Sequence, residues 1–270
     1  MMSVNSYLTD LASKLVLKGS EKASIITSIA TLEKRLTYYF GKDIKEQFYF
    51  GSYTRGTILP RKADDNSDID YMIVFDNSNN YKPQTYLNKL KSFANNSYST
   101  SEIFQSHPTI VLELNHIKFE LVPAYNAGGI WFKDYKIPAP SNILSEWTFT
   151  NPNGFNESLT QANKGNNYNI KPVVRLIKYW NAQNGYIYRS FELEQSIIYN
   201  SNRYIYYGCS SLRDYFYKTV ENLSTCGLSQ TLANKVRKLK QSVGKVKQLE
   251  EIGCTGDAEK RLKSILPELR

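Results

Sequence analysis

A chain of 270 residues with 41% hydrophobic and 22% charged content can bury a substantial core, in one lobe or two, and describes an ordinary soluble globular protein. Its 34 Lys and Arg against 25 Asp and Glu leave a net charge of +9, which either attracts polyanions such as nucleotides and nucleic acid or coats a solvated basic surface. Cys209, Cys226 and Cys254 are scattered without a Cys-x-x-Cys, His107 and His116 are the only histidines, and no run of 18 apolar residues occurs; a disulfide framework, a zinc or His-rich cluster and a membrane-spanning helix are thereby excluded. With no basic segment leading into an apolar one at the N-terminus, the chain is expected to be cytoplasmic.

From residue 5 to 40, Leu8, Leu11, Leu15, Ile25, Ile26, Ile29, Leu32 and Leu36 recur mostly every three or four positions, which predicts an amphipathic packing helix interrupted near Gly19. A short aromatic strand over 47–50 then turns through Gly51-Ser52, crosses a polar loop and re-enters a strand over 67–76. Strand side chains alternate, so Asp68 and Asp70 share one side about 6.5–7 Å apart along the backbone. Ile69, Tyr71, Ile73 and Phe75 take the opposite, core-facing side. Two like charges converging on one strand need a cation between them, and carboxylate oxygens suit Mg²⁺ or Mn²⁺. Gly51 permits a tight turn and close approach to a ligand, while Ser52 adds a hydroxyl and its own N–H, the ingredients of a small anion-binding nest. Singly, Gly-Ser reads as a turn and Asp-x-Asp as a solvated turn or cap; in the order strand, Gly-Ser, loop, Asp-x-Asp they make a site.

Asn77 to Lys82 forms a loop, Pro83 to Asn95 a helix opened by its proline, and two strands follow over 108–114 and 116–124. In the second, Ile117, Phe119 and Leu121 form the apolar face, and Lys118, Glu120 and Val122 the other. Residues 125–170 are rich in Asn, Gly, Pro and Ser and read as loops with a few short elements, the Asn-rich 151–169 marking a boundary. A helix begins at Lys171-Pro172 and ends near Gly185, with Lys178 beside its apolar stripe on what reads as a solvated face. Ser190 reads as the N-cap of the next helix, with Glu194 one residue past capping-box spacing. Helices are predicted over 209–223, 229–250 and 255–266, and Lys235, Arg237, Lys238, Lys240, Lys245 and Lys247 crowd the middle one, a solvated face or a nucleic-acid attractor.

The stretch FYFGSYTRGTILP followed by SDIDYMIVF resembles the DNA polymerase β-like nucleotidyltransferases, and more narrowly the bacterial cyclic GMP-AMP synthase-like enzymes, the CD-NTases that make oligonucleotide signals in antiphage defence. The resemblance is tightest over Phe48 to Phe75. It implies an α+β fold: a nucleotidyltransferase core of mixed sheet flanked by helices, with an N-terminal bracing helix over 1–160, and a helical lobe over 161–270. It implies two-metal catalysis by Asp68, Asp70 and a third carboxylate at Glu120, with two Mg²⁺ or Mn²⁺ ions. The family usually carries Asp at that third place; Glu120 is one methylene longer, and without the resemblance it is an exposed strand Glu paired with Lys118. The same resemblance assigns Gly51, Ser52, Lys178 and Ser190 to the nucleoside triphosphate. The expected activity is template-independent joining of ribo- or deoxyribonucleoside triphosphates into a cyclic or linear oligonucleotide, with pyrophosphate released and the product held in the cleft. A tRNA- or protein-directed nucleotidyltransferase, and a nucleotide- or RNA-binding module without turnover, are the alternatives. Base, sugar, product length and oligomeric state are not written in any motif.

Overall fold

The structure is a computed structural model that describes residues 2–128, 134–139 and 146–269. In chain order it runs α1 (Val4–Lys14), α2 (Gly19–Phe40), β1 (Ile44–Phe50), the one-turn α3 (Gly51–Arg55), β2 (Asp68–Phe75), α4 (Pro83–Ser97), β3 (Glu102–Ser106), β4 (Thr109–Glu113), β5 (Lys118–Asn126), β6 (Tyr135–Pro138) and β7 (Trp147–Thr150). Helices follow: α5 (Gly154–Gly165), α6 (Ile170–Gln183), α7 (Ser190–Asn202), α8 (Leu212–Glu221), α9 (Gln230–Glu251) and α10 (Thr255–Ile265). Among the described residues no helix is long and apolar enough to cross a membrane.

Two compact units form, and they interleave in sequence. One comprises Lys18–Arg55 and Asn66–Asn156, the other Met1–Leu17, Gly56–Asp65 and Glu157–Arg270. The chain leaves the first unit after Arg55 and returns at Asn66, so its contacts group segments that a single cut near residue 160 separates. The N-terminal helix expected over 5–40 is likewise two helices, broken at Leu15 to Lys18, with Gly19 at φ +63°. They fall in different units, α1 with the C-terminal helices and α2 with the sheet.

In the sheet unit the strand order is β1-β2-β5-β4-β3, with β6 joining β5 to β7. β2 and β5 run parallel while the other pairings are antiparallel, a mixed sheet. Proline at the first position of α4 starts that helix as expected, because its missing N–H has no intrahelical partner there. On one sheet face Ile69, Tyr71, Ile73 and Phe75 of β2 and Phe119 and Leu121 of β5 are at most 2% exposed. Each such side chain contributes about 1.5–3 kcal/mol by leaving water.

The other face changes character along its length. Met72, Val74 and Ala124 are buried beneath Tyr135, with Phe48, Phe50 and Ile137 packed around them. Within β2 only Asp68 and Asp70 stay half-exposed. The alternation that predicted one polar face therefore stops at Asp70, where β6 begins to cover the sheet. β3, absent from the sequence reading, is an exposed edge strand without an apolar face to betray it. α5 falls in the Asn-rich stretch read as a boundary loop, and buries Leu159 and Ala162.

In the helical unit α1 packs against α6, α8 and α10, and α9 lies along α10. α9 buries Ala233, Val236, Leu239, Val243 and Val246 at helical spacing and turns Arg237, Lys238 and Lys245 outward. Its basic run is thus the solvated face, with Lys235 donating to the Asn184 carbonyl and Lys240 to that of Glu221. α8 opens with a capping box in which the Ser211 hydroxyl accepts from the Asp214 N–H and the Asp214 carboxylate accepts from the Ser211 N–H.

Burial alone would raise the Asp214 pKa, but bonds from Ser211, the Ser210 N–H and Arg213 outweigh it and bring the carboxyl down to about 2. A depressed carboxyl stabilises above the unfolded pKa, and that contribution is lost as pH falls through the folded one. Asp214→Asn should therefore cost about 1 kcal/mol at neutral pH. In urea melts its difference from the parent should shrink as pH drops from about 4 to about 2. A difference independent of pH contradicts this.

Candidate active site

β1 and β2 pair so that Phe50 stands opposite Asp70. The next residue, Gly51, turns the chain into α3 at φ +72°, a conformation glycine adopts without a side-chain clash. It also has no room for anything larger: a Cβ placed there would lie 1.8 Å from Asp70 Oδ2 and 2.7 Å from its Cγ. The carboxylate of Asp70 thus occupies the space a side chain at position 51 would need. Ser52, half-buried, follows at once at the start of α3. Thr54 closes the turn by donating to the Gly51 carbonyl at 2.9 Å, and Arg55 lies buried with its guanidinium 5.3 Å from the Phe155 ring centroid.

Across the parallel pair, Asp68 is in register with Lys118 and Asp70 with Glu120. In-register residues of parallel strands point to the same face, so both Asp residues, Lys118 and Glu120 share one side. Lys118 Nζ lies 3.6 Å from Asp68 Oδ2 and 4.0 Å from Glu120 Oε1. The Glu120 carboxyl is pushed above its ordinary range, first by burial and then by the charge of Asp68, against a smaller lowering from Lys118. Glu120 is therefore neither an exposed strand residue nor simply the partner of Lys118. It stands with Asp68 in one half-buried acidic pair that shares a lysine.

Of the residues expected at the site, the structure brings Gly51 together with Asp70, and Asp68 together with Glu120. Among the described residues no group of three or more Asp, Glu, His or Cys is drawn into a cluster able to hold a metal ion. The donor set nonetheless fits the expected ions in kind. All three acids offer hard carboxylate oxygens from one face of adjacent strands, which Mg²⁺ and Mn²⁺ select over softer ligands. Lys118, passed over as a site residue, lies within 4.0 Å of two of them; its place one pleat from Glu120 was its only signal.

Lys178 and Ser190 belong to the helical unit. Lys178 is not on a solvated face: it is 6% exposed, and its Nζ donates to Glu194 Oε1 at 3.1 Å. The helical stripe misled because α6 buries residues all around its circumference, Arg175, Lys178 and Asn181 included. Ser190 is the first residue of α7 and not its cap, a position held by Arg189 in extended conformation without a side-chain bond. Glu194, read against capping-box spacing, is completely buried and accepts from both Lys178 and Thr57 Oγ1, the latter at 2.8 Å.

A family model for the Second Messenger Oligonucleotide or Dinucleotide Synthetase domain matches residues 2–163. A cyclic AMP-AMP-AMP synthase of Acinetobacter is 26% identical over 149 residues, covering 54% of this chain and 42% of that protein. A probable cyclic nucleotide synthase of Bacillus cereus is 29% identical over 217 residues, 66% of this chain and 62% of the other. The chain thus spans less than two thirds of the length of either. Among solved structures, Vibrio cholerae DncV cyclic AMP-GMP synthase in complex with a linear intermediate superposes with a TM-score of 0.81 at 9% identity, covering 100% of this chain and 97% of that one. E. coli CdnC with ATP gives 0.71 at 12% identity, covering 100% and 99%. The shared fold is a mixed sheet flanked by helices with a helical lobe, as the sequence resemblance implied.

Gly51→Ala should lower stability by about 2–4 kcal/mol, from strained backbone plus collision with Asp70. Asp70→Ala in the same chain removes most of the collision and leaves the backbone strain, so the double variant should recover about half. Chemical denaturation of the four chains measures this, and strictly additive losses would mean the two residues do not meet.

Proposed function

We propose that this chain, which belongs to the Second Messenger Oligonucleotide or Dinucleotide Synthetase family, is a template-independent nucleotidyltransferase. It joins nucleoside triphosphates into an oligonucleotide signal and releases pyrophosphate. The observation that carries the reading is the packing of Asp70 against the Gly51-Ser52 turn, in register with Glu120. A glycine-serine turn and hard carboxylates lying side by side support the reading. The names of two relatives, a cyclic AMP-AMP-AMP synthase and a probable cyclic nucleotide synthase, support a cyclic product; a role in antiphage defence is what the family resemblance implies.

Asp68, Asp70 and Glu120 are the residues that would hold two Mg²⁺ or Mn²⁺ ions. When bound, such a pair lowers the pKa of an acceptor hydroxyl and neutralises charge on the departing pyrophosphate. The rest falls to the chain itself. Ser52 offers its hydroxyl and the first N–H groups of a helical turn to a phosphate, and Gly51 keeps that approach unobstructed. Glu120, on the same sheet face as Asp68 and Asp70, is the group placed to accept the proton of an attacking hydroxyl. Lys178 and Ser190 serve the triphosphate tail, where Lys178 offsets the negative charge that the bound tail already carries.

Labelled ribo- and deoxyribonucleotides, singly and mixed, with Mg²⁺ or Mn²⁺ and with or without tRNA, test the reading. Product and pyrophosphate from nucleotides alone support it. A requirement for tRNA or a protein acceptor supports a polymer-directed enzyme, and nucleotide binding unchanged by Mg²⁺ with no pyrophosphate supports a binding module. Asp70→Asn should lower turnover by about a thousandfold or more while the melt stays near that of the parent. Retained turnover in that variant overturns the assignment.

A further inference from the structure

Between the Ser52 turn and the Asp68 strand the chain makes an excursion, Gly56–Asp65, that packs within the helical unit. Thr57, Ile58, Leu59 and Ala63 are buried there. Four bonds reach it from α6, α7 and the segment joining them. Arg175 Nη1 donates to the Gly56 carbonyl at 3.0 Å, and Gln183 Nε2 to that of Ala63 at 3.4 Å. Tyr186 donates its hydroxyl to Asp64 at 2.5 Å, and Thr57 donates to Glu194 at 2.8 Å. Glu194 differs from the other three tethers: the oxygen that holds Thr57 is the same one that receives the Lys178 ammonium.

A carboxylate with no exposure to water is costly unless it is paired and hydrogen-bonded. Glu194 meets that condition by spending one oxygen on two groups of different origin, a buried lysine on α6 and a hydroxyl in the excursion. Lysine is a point charge on a flexible four-carbon stem, so where its Nζ rests depends on what grips it. We propose that Glu194 is a positioning residue, whose single carboxylate sets both the Lys178 ammonium and, through Thr57, the segment that leads from the Ser52 turn to the acidic strand. The proposal rests on the nucleotide role given above to Lys178. A change at Glu194 then shows as weakened nucleotide binding and a loosened excursion together, whereas a packing role alone would show only as lost stability.

Arg61 and Lys62 lie in the excursion, so early tryptic cleavage after them, followed by mass spectrometry, reports its release without reference to activity. Thr57→Val and Glu194→Gln should each speed that cleavage by about tenfold, and Thr57→Ser should return it to the parental rate. Glu194→Gln should raise KM for ATP, or for whichever triphosphate the parent consumes, by about tenfold with kcat changed by less than about threefold. Parental cleavage in folded Thr57→Val, or an unchanged KM in folded Glu194→Gln, overturns the proposal. Should Glu194→Gln not fold, the contrast between Thr57→Val and Thr57→Ser decides. If the parent releases no pyrophosphate from any triphosphate, the functional reading falls, and the cleavage rates alone settle whether Glu194 holds the excursion.

Discussion

The carboxylate of Asp70 rests where residue 51 has no side chain, and the site depends on that contact. It packs the turn that carries Ser52 closely against the strand that carries the acids, with no space left for a side chain at position 51. The antiparallel register of β1 and β2 creates it by setting Phe50 opposite Asp70. Glycine is needed for two separate reasons at one position, a positive φ and an absent Cβ, and a substitution that satisfied one would still violate the other.

The second constraint is electrostatic. Asp68 and Glu120 sit close enough that each disfavours the other's charge, yet both are only half-buried, and Lys118 shares itself between them. Acids on a central strand are tolerable because that end of β2 is half-exposed. Two residues further along, the same face is sealed by Tyr135 over Met72 and Val74, where a carboxylate would have no such relief. The fold thus leaves the acids of β2 on the one stretch of that strand that is half-exposed.

The helical unit handles charge differently. Lys178 and Glu194 are a buried ion pair, the kind of interaction whose desolvation cost nearly cancels its attraction, so its value lies more in fixing geometry than in adding stability. Arg175 points the same way: nine-tenths buried, with its Nε lacking a hydrogen-bond partner, it is pushed down to about 10 by burial while Nη1 holds the Gly56 carbonyl. Both cations grip the excursion Gly56–Asp65 directly or through Glu194.

The residues themselves determined the acidic strand and its company. The period-two pattern over 67–76 was enough to place Asp68 and Asp70 on one side and Ile69, Tyr71, Ile73 and Phe75 in the core, and the alternation over 116–124 put Glu120 on the same kind of face as Lys118. Short-range periodicity is a property of backbone geometry, so it survives without knowledge of neighbours. Tertiary structure alone decided what depends on elements distant in sequence. The burial of Met72 and Val74 needed β6, and the break between α1 and α2 gained its meaning from the two units they join. Lys178 and Glu194 look like surface residues in a linear reading, because a helix packed on every side leaves no polar stripe to give its buried charges away.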